Sequence, residues 1–328
     1  MTPENNVLNR LLRLGASFAL IVAIGLRAQG LSAQTITLVV GFPPGGGVDI
    51  LARQLAEKLG PILGRTIIVD NRAGAGGNVA MEYVARAKAD GNTLLMGNLG
   101  MLAVNPALYR NLTIDPAKEF SPIARLVVTP LVAVVPASLK VNSLQEFIAM
   151  ARARPGELNF ASGGNGGISH LAGELLKQQT AVDIQHVPYK GSAPALTDLI
   201  AGRVQLLIDA TNVVQPYVQQ GTLKPLAVTG NTRSPAMPNV QTASQAGVSD
   251  FVIYGWQGVL APAHTPQKVI EQLSVAIQQA LAVPELHKRL EEQGTDPAYM
   301  TPADFSSFIT TERARWTQVI RTAHITVD

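Results

Sequence analysis

Glycines and short polar side chains gather in two segments of this sequence that could hold an anion. The first is Gly41-Phe-Pro-Pro-Gly-Gly-Gly-Val-Asp49, and the second is Ala161-Ser-Gly-Gly-Asn-Gly-Gly-Ile-Ser-His170. Each follows an apolar run and precedes a stretch with the apolar spacing of a helix. Backbone N–H groups at a helix N-terminus favour an anion, and glycine lets the backbone approach a ligand closely. We therefore expect a small anion, such as a carboxylate, at these loops.

The first loop and a neighbouring strand end contain three candidate ligand contacts. Phe42 could cover the apolar body of a ligand, and Asp49 closes the loop. Asn98 follows a later apolar run in the same way, with turn formation as the alternative. Ligands of open α/β sheets bind outside the carboxyl ends of the strands, where these residues are expected to meet.

The second loop offers short polar groups beside a helix start. Ser162, Asn165 and Ser169 suit a carboxylate, and helix capping is their alternative role. His170 is a further candidate, although a lone histidine on a helix is more often packed or solvated than bound to a ligand.

Two later strand ends complete the set of candidates. Tyr189, Lys190 and Gly191 follow one apolar run, and Lys190 could pair with an anionic ligand or be an ordinary surface lysine. Asp209 and Thr211 follow the next run and could bind a polar end of the ligand. Asp209 could equally cap the helix that follows.

The glycine loops do not match the nucleotide-binding patterns. Gly74-Ala-Gly76 would need a third glycine at position 79, which is valine, so G-x-G-x-x-G fails. The loop 41–49 lacks the lysine of G-x-x-x-x-G-K. A carboxylate is therefore favoured over a nucleotide, and we expect no cofactor.

The sequence gives little indication of catalysis. Gly-x-Ser-x-Gly is absent, there is no cysteine, and the five histidines are scattered without a His-x-x-x-His pair. We expect neither an enzyme nor a metal site. A catalytic triad can assemble from distant residues, so a secreted α/β hydrolase-type enzyme acting on a small carboxylated substrate remains the alternative.

The first 33 residues have the features of a secretory signal peptide. Arg10 and Arg13 precede the apolar run 14–26, and small or polar residues follow it. This run is shorter than the ~20 residues that cross a bilayer, which disfavours an uncleaved anchor. Cleavage could follow Gly30 or Ala33, and we expect an exported, periplasmic protein.

The composition argues against a nucleic-acid-binding protein. The formal charge of the whole chain is +3. Removal of the first 33 residues leaves 23 basic and 22 acidic residues, so the mature chain is close to neutral. Aromatic residues make up 5% of the 328-residue chain, and no basic tract occurs. A groove of basic and stacking side chains is therefore not expected.

Apolar runs alternate with helical stretches, which is typical of βαβ units and a mostly parallel sheet. Two such α/β units are separated near Pro130, and two amphipathic helices that begin at Pro266 and Pro302 are expected to pack on the first sheet. This arrangement predicts two lobes with two hinge crossings and a cleft between them. The predicted ranges are 34–130 with 230–328 for lobe 1 and 131–229 for lobe 2.

The order and spacing of several motifs resemble the Bug family, the periplasmic solute-binding receptors of tripartite tricarboxylate transporters. Besides the two glycine loops, the motifs are Asn71-Arg-Ala-Gly-Ala-Gly-Gly77, Asn105-Pro-Ala-Leu-Tyr109 and Pro188-Tyr-Lys-Gly-Ser-Ala-Pro194. The resemblance covers nearly the whole mature chain. Met81 departs from it, because many relatives have a small residue there.

The resemblance implies a two-lobed, type II-like periplasmic binding fold that closes around a small organic acid and presents it to membrane subunits. It also implies that backbone amides, hydroxyls and ordered water hold the carboxylates. By position, Phe42, Pro44, Gly45 and Gly46 would contact the ligand from lobe 1. Ser162, Gly163, Asn165 and Gly166 would hold one carboxylate from lobe 2. We expect a monomer, and the sequence leaves open a tricarboxylate, a C4 dicarboxylate, an acidic amino acid or an aromatic acid.

Overall fold

The computed structural model describes residues 35–109 and 112–326, and the predicted signal peptide lies outside them. The strands are β1 (Ile36–Val40), β2 (Ile67–Asn71), β3 (Thr93–Asn98), β4 (Phe120–Pro136), β5 (Leu158–Ser162), β6 (Ile184–Pro188), β7 (Leu206–Ala210), β8 (Leu223–Val228), β9 (Tyr254–Pro262) and β10 (Asp296–Met300).

The helices lie between these strands and after the last one. They are α1 (Gly47–Leu63), α2 (Asn78–Ala85), α3 (Asn105–Leu108), α4 (Pro116–Glu119), α5 (Leu144–Ala153), α6 (Ile168–Thr180), α7 (Ser192–Ile200), α8 (Thr211–Gln219), α9 (Gln267–Leu281), α10 (Pro284–Glu292) and α11 (Pro302–Thr322). A short 3-10 turn, Ala75–Gly77, precedes α2, and a π-helical turn, Gly100–Val104, precedes α3. Within the described ranges, no helix has the length and apolar character needed to cross a bilayer.

The first half of the sheet is mixed. Strand β1 pairs in parallel with β2 and β3, and β9 then pairs antiparallel with both β3 and β4. Strand β10 pairs antiparallel with β4. The residues that build this half come from both ends of the described chain, as the two amphipathic C-terminal helices suggested.

Strand β4 connects the two halves because it is long enough to pair in both. Pro130 is its last residue paired with β9, opposite Tyr254, and Leu131 is its first paired with β7, opposite Ala210. In the second half, β4 lies between β8 and β7, and β5 and β6 continue in parallel beyond β7. The change of partner coincides with the predicted first hinge crossing, although the lobe boundaries themselves stay a prediction.

Apolar side chains on both faces of each half pack against helices. Successive residues of β1 belong to different core clusters. Leu38 packs with residues of α1 and α9, whereas Val39 packs with residues of α2 and α11. In the second half, Leu131 and Ala133 of β4 face α5 and α6, whereas Val132 packs with α7 and α8. Buried sheets covered on both faces are typical of α/β folds, which explains the nearly continuous apolar strands.

The predicted two-lobed α/β fold is confirmed. The sequence predicts helices over 48–59, 144–154 and 168–179, and all three are present with small changes at their ends. Ser143 caps α5 by accepting a hydrogen bond from the Glu146 amide. The sequence interpretation missed β9, β10, helix α10 and the first half of β4. These segments contain proline and glycine, which made them look like connections.

Candidate functional site

A cavity of about 780 Å³ lies between the two lobes. Its walls come from the loops after β1, β3, β5 and β7, and its floor from β9 and the crossing part of β4. The residues that line it include Phe42, Gly47, Val48, Asn98, Leu108, Asn165, Gly166, Gly167, Ile168, Ala210, Asn212, Trp256, Gln257, Glu292, Gln293 and Thr295.

Three helices longer than one turn begin at this cavity. Gly47 and Val48 open α1, Ile168 opens α6, and Asn212 lies in the first turn of α8. No side chain caps the N-terminus of any of these three helices. The first N–H groups of a helix have no acceptor within it, and the helix dipole places partial positive charge there. The cavity is therefore favourable to an anion through backbone groups alone.

Full charges are scarce on the walls. Among the described lining residues, no lysine, arginine or histidine occurs, and Glu292 is the one ionisable acid. Glu292 is exposed, and its carboxylate lies 3.8 Å from the Lys288 ammonium group on the same helix. Several carboxamides also line the cavity: Asn98, Asn105, Asn165, Asn212, Gln215, Gln257 and Gln293. Within residues 35–109 and 112–326, no cluster of His, Asp or Glu is arranged to hold a metal ion.

The first glycine loop is held in shape by Asp49. This carboxylate is 2% exposed and accepts hydrogen bonds from the Gly45 amide at 2.8 Å, from Arg53 Nε at 3.0 Å and from Asn71 Nδ2 at 2.9 Å. Asn71 Nδ2 also donates to the Phe42 carbonyl at 3.0 Å. Burial raises the pKa of Asp49, but the hydrogen bonds from Arg53, Gly45 and Asn71 outweigh it and hold the pKa below the ordinary value. Asp49 thus positions Phe42 at the cavity.

The second glycine loop is held by side chains behind it. Ser162 Oγ accepts from the Gly164 amide at 3.1 Å, and Ser169 Oγ accepts from the Gly163 amide at 3.0 Å. His170 Nδ1 accepts from the Gly166 amide at 3.0 Å. Three of the loop amides are therefore satisfied internally, and the cavity faces Asn165, Gly166 and the start of α6 instead.

Two histidines lie behind this loop. The rings of His170 and His186 stack with centroids 3.7 Å apart, and His186 Nε2 lies 2.6 Å from Ser162 Oγ. Burial lowers the pKa of His170 to about 3, and the charges of His186 and Lys177 act in the same direction. Burial and Lys177 lower the pKa of His186 to about 4. Both rings are therefore neutral near pH 7, as an acceptor nitrogen on His170 requires.

Two close contacts join the lobes. A Cβ atom placed on Gly166 would lie 2.1 Å from Leu108 Cδ2, so the Leu108 side chain lies directly against this glycine. A Cβ atom on Gly294 would lie 2.8 Å from Thr211 Cγ2. These contacts join the loop after β5 to helix α3, and helix α8 to the turn before β10.

The floor is fixed by a buried carboxylate. Glu312 Oε2 accepts from Trp256 Nε1 at 3.1 Å and from Trp316 Nε1 at 3.0 Å. Trp256 lies on β9 and lines the cavity, whereas Trp316 and Glu312 lie on α11. Trp256 is 2% exposed, and its ring lies edge-on to Phe305 with the ring centroids 5.7 Å apart.

The structure brings four of the predicted site residues to the cavity, namely Phe42, Asn98, Asn165 and Gly166. The others lie outside its lining: Pro44, Gly45, Gly46, Asp49, Ser162, Gly163, His170, Tyr189, Lys190, Gly191, Asp209 and Thr211. Ligand contact for all sixteen remains a prediction.

Several of the residues outside the lining have internal partners. The Tyr189 hydroxyl donates to Asp198 at 2.8 Å, and burial together with this hydrogen bond raises the pKa of Tyr189 to about 12. Asp209 accepts from Ser192 Oγ at 2.6 Å, and burial raises its pKa above the ordinary value. Thr211 Oγ1 donates to the Pro130 carbonyl at 2.8 Å, at the crossing point of β4. Lys190 is exposed.

The sequence interpretation missed most of the lining. Asn105, Leu108 and Tyr109 belong to a motif that carried the family resemblance, so a signal for that wall was present. Asn105 Nδ2 donates to the Gly76 carbonyl at 3.1 Å and to Asn78 Oδ1 at 2.6 Å, which ties α3 to the second glycine-rich turn of the first lobe. Gln257 and Gln293 gave no comparable signal.

Comparison with known proteins identifies the family. Residues 51–325 match the model described as "Tripartite tricarboxylate transporter family receptor". The chain belongs to this receptor family. Protein BugT of Bordetella pertussis is 36% identical over 301 residues, which cover 92% of each chain. The predicted resemblance is therefore confirmed, and receptors of this family are periplasmic solute-binding proteins.

Solved structures of other receptors share the fold. Rpa4515 of R. palustris, solved with adipate, is 38% identical with a TM-score of 0.79 and covers 90% of this chain and 99% of its own. MatC of Rhodopseudomonas palustris, solved with bound malate, is 31% identical with a TM-score of 0.74 and covers 88% of this chain and 100% of its own.

Proposed function

We propose that this protein is a periplasmic receptor that captures a small organic acid by lobe closure and delivers it to membrane subunits of a tripartite tricarboxylate transporter. The observation that carries this proposal is the convergence of three helix N-termini without side-chain caps on one interlobe cavity. The two similar receptors solved with adipate and malate both hold dicarboxylates, which favours that class of ligand. We infer that the receptor is exported and acts as a monomer.

Backbone amides are suited to a ligand that must be released. A buried carboxylate needs compensating donors, and charge-assisted hydrogen bonds from amides provide them. An arginine–carboxylate pair would add attraction, but none of the described lining residues is basic. Helix dipoles contribute about 0.3–1 kcal/mol each at exposed sites and more where partly buried.

Closure follows from the distribution of these contacts. Helix α1 and the loop after β3 belong to the first lobe, whereas α6 and α8 belong to the second. Only a closed form places a ligand against both sets. Such a ligand binds the closed form better and shifts the population towards it. Phe42, Asn98, Asn165 and Gly166 are the predicted contacts that the closed form would use.

The hydrolase alternative has one observation in its favour. Ser162 Oγ and His186 Nε2 are 2.6 Å apart, the separation of a nucleophile and its base. Ser162 is 0% exposed and lies outside the cavity lining, so a substrate in the cavity does not reach its oxygen. These facts favour reversible binding without chemistry.

A binding panel tests the proposal. Purified protein is heated with malate, adipate, citrate, glutamate and benzoate, and ¹H NMR follows each acid during a long incubation. At least one acid should raise the melting temperature and remain unchanged. Turnover of an acid would favour the hydrolase, and no shift with any acid would count against the receptor.

A charge introduced at one helix start tests the anion site directly. Ile168→Asp places a carboxylate at the first residue of α6, inside the cavity, and Ile168→Asn has nearly the same shape without the charge. We expect Ile168→Asp to weaken binding of the identified acid at least about tenfold relative to Ile168→Asn, which corresponds to about 1.4 kcal/mol. Equal affinities would show that the carboxylate does not bind near this terminus.

A further inference from the structure

Gly166 occupies a special place in the cavity wall. It lines the cavity, it has a φ of +71°, and the Leu108 side chain of the other lobe lies directly against its Cα. Its amide points away from the cavity towards His170. The position of this one residue thus affects both the ligand wall and the contact between the lobes.

The partner of that amide is a ring held on several sides. His170 is 6% exposed on α6, and its ring stacks on His186 of β6 with an interplanar angle of 6°. The His186 ring in turn stacks on Phe160 of β5 at 4.9 Å. His170 Nε2 lies 3.9 Å from Glu174 Oε1. A ring fixed in this way presents Nδ1 at one defined point.

We propose that His170 is a positioning residue of the binding site, which acts through its hydrogen bond with the Gly166 amide and does not itself contact the ligand. It holds the glycine loop where Asn165 and Gly166 face the cavity and where Leu108 packs against the loop on closure. This inference rests on the proposed function. It assigns to His170 a role different from the direct ligand contact predicted from the sequence.

Substitutions can remove the hydrogen-bond acceptor and the aromatic ring of His170 separately. Asparagine places Oδ1 close to the position of the imidazole Nδ1, so His170→Asn keeps an acceptor but loses the stack. Leucine keeps much of the apolar volume but has no acceptor, so His170→Leu leaves the Gly166 N–H unpaired. The Gly166 N–H is partly buried, and leaving a fully buried donor unpaired costs about 1–3 kcal/mol. The loop is expected to rearrange to avoid that cost.

The test compares wild type, His170→Asn and His170→Leu by isothermal titration with the acid identified in the panel and by urea unfolding. We expect His170→Asn to lose stability but to bind within about threefold of wild type, and His170→Leu to bind at least about tenfold more weakly. A purely structural role would lower stability without this difference in affinity, and equal affinities would overturn the proposal. Binding of no acid by the wild type would instead contradict the proposed function.

Amide exchange of the wild type keeps the proposal testable if a variant does not fold. At pH 7 the Gly166 amide should exchange with solvent much more slowly than the same amide would in an unfolded chain of this sequence. Exchange of Gly166 at the rate of an unprotected amide would show that the hydrogen bond with His170 does not hold the loop, and would overturn the proposal.

Discussion

The imidazole rings of His170 and His186 lie parallel at 3.7 Å, closer than two charged rings would remain in a buried site. Lys177 adds positive charge on the same helix as His170, and Glu174 is the acid within 3.9 Å. Both rings are therefore neutral in the folded protein, whereas each takes up a proton near pH 6.5 once the chain unfolds.

Stability should fall as the pH drops below about 6.5. The pKa values of His170 and His186 are lowered to about 3 and about 4, so between pH 6.5 and 4 the unfolded chain binds more protons than the folded one. Each histidine then contributes up to about 1.4 kcal/mol of lost stability per pH unit. Urea unfolding at several pH values measures the slope.

Other groups also affect how stability depends on pH. Burial raises the pKa values of Asp209 and Asp296, and a raised carboxyl pKa increases stability as the pH falls. The contribution of one histidine is therefore measured by comparing wild type with a variant that lacks it. His186→Phe keeps an aromatic ring and removes one titrating group. Its stability should depend on pH clearly less than that of wild type in this range. An unchanged slope would mean that His186 is protonated in the folded protein.

Gly166→Ala should weaken ligand binding by preventing the lobes from meeting. The new Cβ atom would lie 2.1 Å from Leu108 Cδ2. Gly221→Ala is a matched control, because Gly221 has nearly the same φ (+72° against +71°) and no atom within 4 Å of the added Cβ. Both variants lose about 1–2 kcal/mol of stability through backbone strain, but only Gly166→Ala should lose affinity. Recovery of affinity in Leu108→Ala/Gly166→Ala would assign the loss to this contact.

Glu312→Leu should destabilise the protein by about 2–4 kcal/mol, because two buried indole N–H groups would lose their acceptor. Trp256 and Trp316 are the two tryptophans of the chain, so their fluorescence reports on this site during urea unfolding. Glu312→Gln keeps an acceptor oxygen and should lose less. Equal losses in the two variants would show that the charge of Glu312, and not its acceptor, stabilises the floor.

Gln54→Leu should raise the unfolding free energy by about 1 kcal/mol, because an unpaired buried polar atom is replaced by an apolar group. Gln54 lies on α1, is 9% exposed, and its Oε1 has no hydrogen-bond partner among the described residues. Gln272→Leu makes the same change at an exposed position of α9 and should give no gain. No gain from Gln54→Leu would indicate that water reaches the oxygen.

The local parts of the site could be predicted from the sequence. Glycine loops between an apolar run and a helix are encoded over about ten residues, and both loops flank the cavity as expected. Spacing along the chain does not reveal which side of a loop faces inward. Ser162 and Asn165 are three residues apart, yet Ser162 bonds behind the loop and Asn165 lines the cavity.

The floor could not be predicted because distant strands bring it together. Gln257 lies opposite Asn98 in the pairing of β9 with β3, and neither local sequence contains that information. Gly255 and Gly258 also weaken the strand pattern of β9, although Gly258 is required where the Phe305 ring would lie 2.4 Å from an added Cβ. Gly258 therefore reflects tight packing rather than a turn.

The pairing of Leu95 with Leu260 has a consequence for how the protein folds. Strands β3 and β4 both pair with β9, and β9 is available only after most of the chain has been synthesised. Contacts between residues so far apart in sequence slow folding, because a long loop must close before they form. A nascent chain that ends before β9 would thus expose the edges of two unfinished strands. Completion of the first sheet is therefore expected to be a late step of folding.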